Sequence, residues 1–126
     1  MNAHQVGTKL VELCRAGRFL EAIETLYADD VVSVEPVSDH GGDAVQTGKD
    51  AAINKNKWWD SAHDVHSVKL EGPFPHGEDR FAVYFEMDVT PKEGPMTGKR
   101  FTMQEVGLYT VAGGRVAREE FFYSMC

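Results

Sequence analysis

The sequence predicts one α+β domain, with helices packed on one side of an antiparallel sheet, and three observations carry that expectation. Apolar residues recur at helical spacing through the first half of the chain, and from Val65 onward they alternate, in segments separated by Gly and Pro. Helices first and strands afterwards keep the two kinds of element apart, which is the α+β pattern. The 126 residues are enough for one core and too few for two, so residues 1–126 are read as a single domain.

Val6, Leu10, Leu13 and Cys14 form the first apolar stripe and predict a helix over Gln5 to Ala16, ended by Gly17 at a left-handed cap position. Phe19, Ile23, Leu26 and Tyr27 predict a second helix, closed by Asp29-Asp30, with Glu21 and Glu24 on its wet side. The β-branched run Val31 to Val34 is a strand that must stop or bend at Pro36. Val37 to Thr47, crowded with Gly, Asp, Ser and His, is read as a surface loop. Thr47 with Asp50 resembles a capping box that opens a third helix over Lys49 to Ala62, carrying Ala52, Trp59 and Ala62 along one side. Trp58 cannot share that side; one tryptophan can roof a pocket while the other packs in the core.

Four strands are expected after it, at His63 to Glu71, Arg80 to Thr90, Arg100 to Ala112 and Arg115 to Ser124, with connections at Gly72 to Asp79 and Pro91 to Lys99. Ala112-Gly113-Gly114 is a tight-hairpin signal. Phe81, Val83, Phe85, Met87 and Val89 alternate against Ala82, Tyr84, Glu86, Asp88 and Thr90, so both faces carry apolar residues. A sheet with one bare face would alternate more cleanly, and a second copy of the chain is the simplest cover.

Composition excludes several classes. A net charge of -7, with no Lys/Arg run interleaved with aromatics, repels nucleic acid. The apolar runs are a few residues long, against roughly 18 for a membrane span, so no membrane partner is expected. The start Met1 to Gln5 lacks the pattern of a secretory signal, and the two cysteines, Cys14 on an apolar stripe and Cys126, do not make a disulfide framework. A cytoplasmic location is expected on those grounds, with Cys14 as a small core residue.

Leu26 to Pro36 resembles the helix-to-strand corner of SnoaL-like proteins, a family of the nuclear-transport-factor-2-like superfamily. Gly48 to Ile53 is similar to the start of that family's third helix, and Val106 to Val116 to its final hairpin. With Asp88 to Lys92 and Glu119 to Tyr123, the likeness covers nearly the whole chain. The resemblance implies a cystatin-like, cone-shaped α+β barrel: N-terminal helices on a strongly curved, mixed, mostly antiparallel sheet, enclosing a cavity open at one end, in a homodimer formed through the sheet. It does not imply one reaction, because the same shell hosts cyclases, isomerases, dehydratases and non-catalytic modules.

Glu35 matches the general-base aspartate of ketosteroid isomerase, a member of this class that also serves as a general example of tuned carboxyl groups. The residue before a proline is held extended, so Glu35 sits on strand-like backbone. Facing a cavity it is a usable base; facing water it is an ordinary carboxylate. By the same resemblance the isomerase's oxyanion-hole tyrosine falls at Leu10 and its protonated aspartate at Gly107, so both donors are missing and steroid isomerisation is disfavoured.

Glu105 and Tyr109 share one strand face, as Glu119, Phe121 and Tyr123 share another. These groups can supply the missing polarity, or a Tyr–Glu pair can merely stiffen the sheet. Tyr84, Glu86 and Asp88 face either the cavity or the dimer. His63 and His66 point to opposite faces of a regular strand, which argues against a shared metal, while His66 alone can line the pocket or shuttle protons. Gly41-Gly42 and Gly113-Gly114 lack the strand-to-helix setting of a phosphate loop.

The expected function is a cofactor-independent isomerase, cyclase or dehydratase moving a proton on a hydrophobic, carbonyl-bearing small molecule, without a metal. Glu35 is the expected base and Glu105 or Tyr109 the acid or polariser, with Trp59, His66, Met103, Glu119, Phe121 and Tyr123 as ligand contacts. The alternatives are a homodimeric module that binds such a ligand without turning it over, and an interaction adaptor.

Overall fold

The computed structural model describes residues 1–36 and 44–124. The first helix, α1 (Ala3–Arg15), begins ahead of the expected Gln5, because Asn2 and Gln5 cap each other reciprocally, each side-chain oxygen accepting the other's backbone N–H at 2.9 Å. It ends as the glycine signal requires. Gly17 takes a φ of 75°, and the N–H groups of Arg18 and Gly17 donate to Leu13 and Cys14 at 2.8 and 3.0 Å, which completes the left-handed cap.

The helix α2 (Phe19–Leu26) stops short of the expectation that it runs to Asp29-Asp30. Tyr27 is already extended and opens the strand β1 (Tyr27–Val34), opposite Val116 of the last strand. Sheet pairing overrides the helical spacing of Tyr27, whose ring turns into the core at 4% exposure. Of the expected loop, residues 37–43, with Gly41-Gly42, lie outside the described residues, as does Cys126. Its far end is a short strand, β2 (Val45–Thr47), antiparallel to β1 with Val32 opposite Thr47. The expected capping box therefore does not form: Thr47 belongs to the sheet, and Gly48 precedes α3 (Lys49–Ala62) without a side-chain cap. The span of α3 itself is the one the stripe predicts.

The strand β3 (His63–His76) continues through Gly72 and Pro73, where a connection was expected, because a bulge between Glu71 and Phe74 keeps it paired with β4 (Arg80–Pro91). The remaining strands are β5 (Phe101–Ala112) and β6 (Arg115–Phe122), joined through Gly113 and Gly114 at positive φ. The sheet order is β2-β1-β6-β5-β4-β3, antiparallel throughout except for the parallel pair β1 and β6. The sheet curls without closing, and its concave side carries the helices.

Phe81, Val83, Phe85, Met87 and Val89 of β4 are buried between sheet and helices, where α1 contributes Val6, Leu10 and Val11. Tyr84, Glu86 and Asp88 take the opposite, convex face. Asp88 there holds Arg100 at 2.9 and 2.7 Å, and Gln104 donates to the Tyr84 hydroxyl at 3.0 Å. Val106 and Phe122, opposite one another on that face, remain exposed. None of the described helices is long and apolar enough to cross a membrane.

Candidate functional site

A cavity of about 1510 Å³ lies between the concave face of the sheet and the three helices. Alternation places its polar groups. Val31, Ser33 and Glu35 follow one another at period two along and just beyond β1; Glu105, Gly107 and Tyr109 do so on β5, and Glu119, Phe121 and Tyr123 on β6 and its continuation. Registry then brings strands together, with Ser33 opposite Glu119 and Tyr109 opposite Glu119 on its other side.

Glu119 is 3% exposed and fully engaged: the Tyr27 hydroxyl donates to one oxygen, and the Ser33 hydroxyl donates to the other at 2.9 Å. Burial raises its carboxyl above the usual range, while Lys55 and the two hydroxyls pull the other way. Glu35, just past the end of β1, lines the cavity with its side chain 11% exposed. Lys55 of α3 donates to its Oε1 at 2.9 Å, and Tyr123 donates to its Oε2 at 3.0 Å.

Glu105 stands apart. Among the described residues none donates a hydrogen bond to its carboxyl, which burial, and then the negative charge of Glu35, pushes up to about 7 against the pull of Lys55. Tyr109 is 2% exposed and stacks on Phe81 with ring centroids 5.0 Å apart. It lines the cavity, and its hydroxyl bonds to no described residue; burial and Glu119 hold the proton on it. Gly107 makes this possible, since a Cβ there would sit 2.8 Å from the Tyr109 ring.

Apolar side chains also line the cavity, Met103, Met87 and Phe101 from the sheet and Trp59 from α3. His63 stacks on Trp59 at 4.4 Å and shares a hydrogen, through Nδ1, with the Trp59 carbonyl at 2.8 Å. His66 contacts the Thr90 hydroxyl at 2.7 Å. The two histidines thus keep the opposite faces expected of a strand: His63 packs under α3, while His66, at the bulge between Val65 and Ser67, turns to Thr90 and Asp88 on the convex face and borders the cavity only at the sheet edge. Among the described residues no group of three or more His, Cys, Asp or Glu is arranged to hold a metal ion. Trp58 also borders the cavity and donates to Glu93 at 3.0 Å.

Of the residues singled out from the sequence, Glu35, Glu105, Tyr109, Trp59, Met103, Glu119, Phe121 and Tyr123 line the hollow, while His66 borders it at the edge strand β3. Sequence reasoning missed Lys55, Ser33 and Tyr27. Lys55 had a signal, since it lies three residues after Ala52 and four before Trp59 and so interrupts the apolar side of α3 with a charge. Ser33 shares the period of Glu35. Tyr27 was hidden by its fit to the preceding helix. Cys14 closes the deep end, where burial and the neighbouring Glu119 push its thiol up to about 12, so it is an inert wall.

Helices over the concave side of a curled six-stranded sheet, with carboxyl groups in the hollow, place the chain among α+β proteins of cystatin-like fold. Within it the chain belongs to the SnoaL-like family, whose domain model matches residues 1–123. A candidate SnoaL-like polyketide cyclase from Mesorhizobium loti is 43% identical, covers 94% of this chain with 97% of its own, and superposes with a TM-score of 0.85. More distant structures share the fold. A candidate polyketide cyclase from Pseudomonas putida is 15% identical, with 99% of this chain and 93% of that one covered at a TM-score of 0.73. A candidate isomerase from Bacillus subtilis is also 15% identical, with 98% and 90% covered at 0.77. No curated protein matches the chain.

Proposed function

We propose that the protein is a cofactor-independent enzyme of the isomerase or cyclase kind that moves a proton on a hydrophobic, carbonyl-bearing small molecule. The observation that carries this reading is Glu105: a carboxyl inside the cavity, bonded to no described residue and titrating at about 7. Such a group accepts and returns protons at neutral pH, which is what a general acid–base needs. The Glu105 carboxylate takes a proton from the carbon beside the ligand carbonyl, the C–H electron pair passes into an enolate, and the proton returns at another atom. The Tyr109 hydroxyl, free to donate, faces the same space. Glu35 is the competing base; both of its oxygens already accept hydrogen bonds, and that favours Glu105. Trp59, Met103 and Phe121 form the apolar wall for the ligand body, Tyr123 and Glu119 brace the polar end, and His66 stands at the rim.

Exchange of the α-hydrogens of aryl ketones such as 1-tetralone in D2O, followed by NMR, tests the reading. Wild-type protein should accelerate exchange, and Glu105→Gln should reduce that acceleration roughly 10²- to 10⁴-fold, with Glu35→Gln the smaller loss. Undiminished exchange in Glu105→Gln would remove Glu105 from the chemistry. Binding of these ketones with no acceleration would favour the ligand-binding module.

The convex face supports the homodimer. Val106 and Phe122 are exposed there, at 39% and 53%, beside the half-buried Tyr84 and Leu108. Sedimentation equilibrium should give twice the chain mass, and Phe122→Glu should shift it toward the monomer.

A further inference from the structure

We infer that Lys55 is the group that receives the negative charge of the reacting ligand, its ammonium pairing with an enolate- or phenolate-type oxyanion in the cavity. This rests on the proton-transfer reading above and adds to it the chemistry of the bound species.

Lys55 projects from the side of α3 that also carries Ala52, Trp59 and Ala62, three residues that face the protein interior. An ammonium on such a face is costly unless it is paired. Glu35 supplies that pair at 2.9 Å, and the Phe121 ring lies 5.2 Å beneath the nitrogen. The pair is well shielded, with side chains 17% and 11% exposed. Among the described residues Glu35 is the acceptor for Lys55, which leaves two of the three ammonium protons available to a ligand in the hollow that Lys55 lines.

Neutralising Glu35 does not by itself explain a lysine here, because a second and a third carboxyl, Glu105 and Glu119, face the same ammonium. Other cations line the cavity but are spent or distant from the cluster: Arg15 donates to the Leu70 carbonyl at 3.0 Å, and Lys57 is exposed. Transfer of a proton from ligand to Glu105 does not change the number of negative charges in the cavity. It moves one of them from Glu105 to the ligand oxygen. A cation already placed to attract the Glu105 carboxylate is placed to attract that oxygen, and a shielded site makes the attraction stronger than water would. Glu35 is then the positioning residue that holds the ammonium.

The test uses 6-cyano-2-naphthol, whose absorption reports its own ionisation, and needs no turnover. Bound to wild-type protein, the naphthol should ionise with a constant raised roughly tenfold or more over the free compound, and Lys55→Met should abolish that increase while Lys55→Arg keeps part of it. Since Lys55→Met can fail to fold, acetylation of wild-type lysines is mapped by mass spectrometry as well. Saturating naphtholate should slow modification at Lys55 several-fold and leave Lys49 unchanged. Neutral binding of the naphthol, equal ionisation in a folded Lys55→Met variant, no protection of Lys55, or no binding at all would each overturn the assignment. Ketone exchange failing while Lys55-dependent ionisation persists would instead sink the enzymatic reading alone.

Discussion

Glu119 and Glu105 project from adjacent strands into the same hollow, and burial raises both carboxyls, yet their surroundings differ in kind. Glu119 accepts hydrogen bonds from Tyr27 and Ser33 and is closed off from solvent, while Glu105 accepts none from the described residues and borders the cavity. A partly buried carboxyl without donors costs stability, and a protein that satisfies one glutamate fully in this hollow has the means to satisfy another. On the proposed reading, what separates the bracing carboxylate from the working one is the hydrogen-bond count, since position and charge are shared.

The largest effect that can break this comparison is the loss of Glu119. Glu119→Ala leaves two buried hydroxyls, those of Tyr27 and Ser33, without their acceptor and opens a void, which together should cost about 3–4 kcal/mol. Urea unfolding with an unchanged slope should record it as a lowered midpoint. Glu105→Ala, which orphans nothing, should cost far less at neutral pH. If the two substitutions destabilise equally, the division between brace and working group fails.

Much of this arrangement was legible before any coordinates. Period-two alternation placed Glu105 with Tyr109, Glu119 with Phe121 and Tyr123, and the five inward residues of β4, because a strand's faces follow from counting once its register is fixed. The boundary at Gly17 was legible from its left-handed cap, whereas the start at Lys49 is met although the capping box that suggested it does not form. What escaped was non-local. Tyr27 suits a helix by spacing and is taken by β6 instead; Thr47 looks like a cap and is taken by β1. The bulge at His66 depends on pairing with β4, which no local pattern encodes. Lys55 was legible in principle, as a charge on an apolar stripe, but its partner lies on another element 20 residues earlier. Which of Glu35, Glu105 and Glu119 lacks donors is a property of three strands and a helix together, and only the assembled fold displays it.

The smaller effect, and the one that sharpens the comparison most, is the pH dependence of stability. The Glu105 carboxyl titrates at about 7 in the folded protein against 4.5 for the ordinary side chain, so the folded state holds this proton more tightly than the unfolded chain does. Its contribution is therefore complete below pH 4.5 and disappears as pH rises to about 7. Glutamine keeps the shape of the protonated acid and cannot lose a proton. Wild-type protein should lose roughly 2–3 kcal/mol relative to Glu105→Gln between pH 4.5 and 8, less than full burial would give because the cavity admits water. Parallel urea titrations of the two proteins measure the difference directly, since every other titrating group, Glu119 included, is common to both. A flat difference across that window would mean that Glu105 meets solvent or a donor after all, and the contrast with Glu119 would then rest on burial alone.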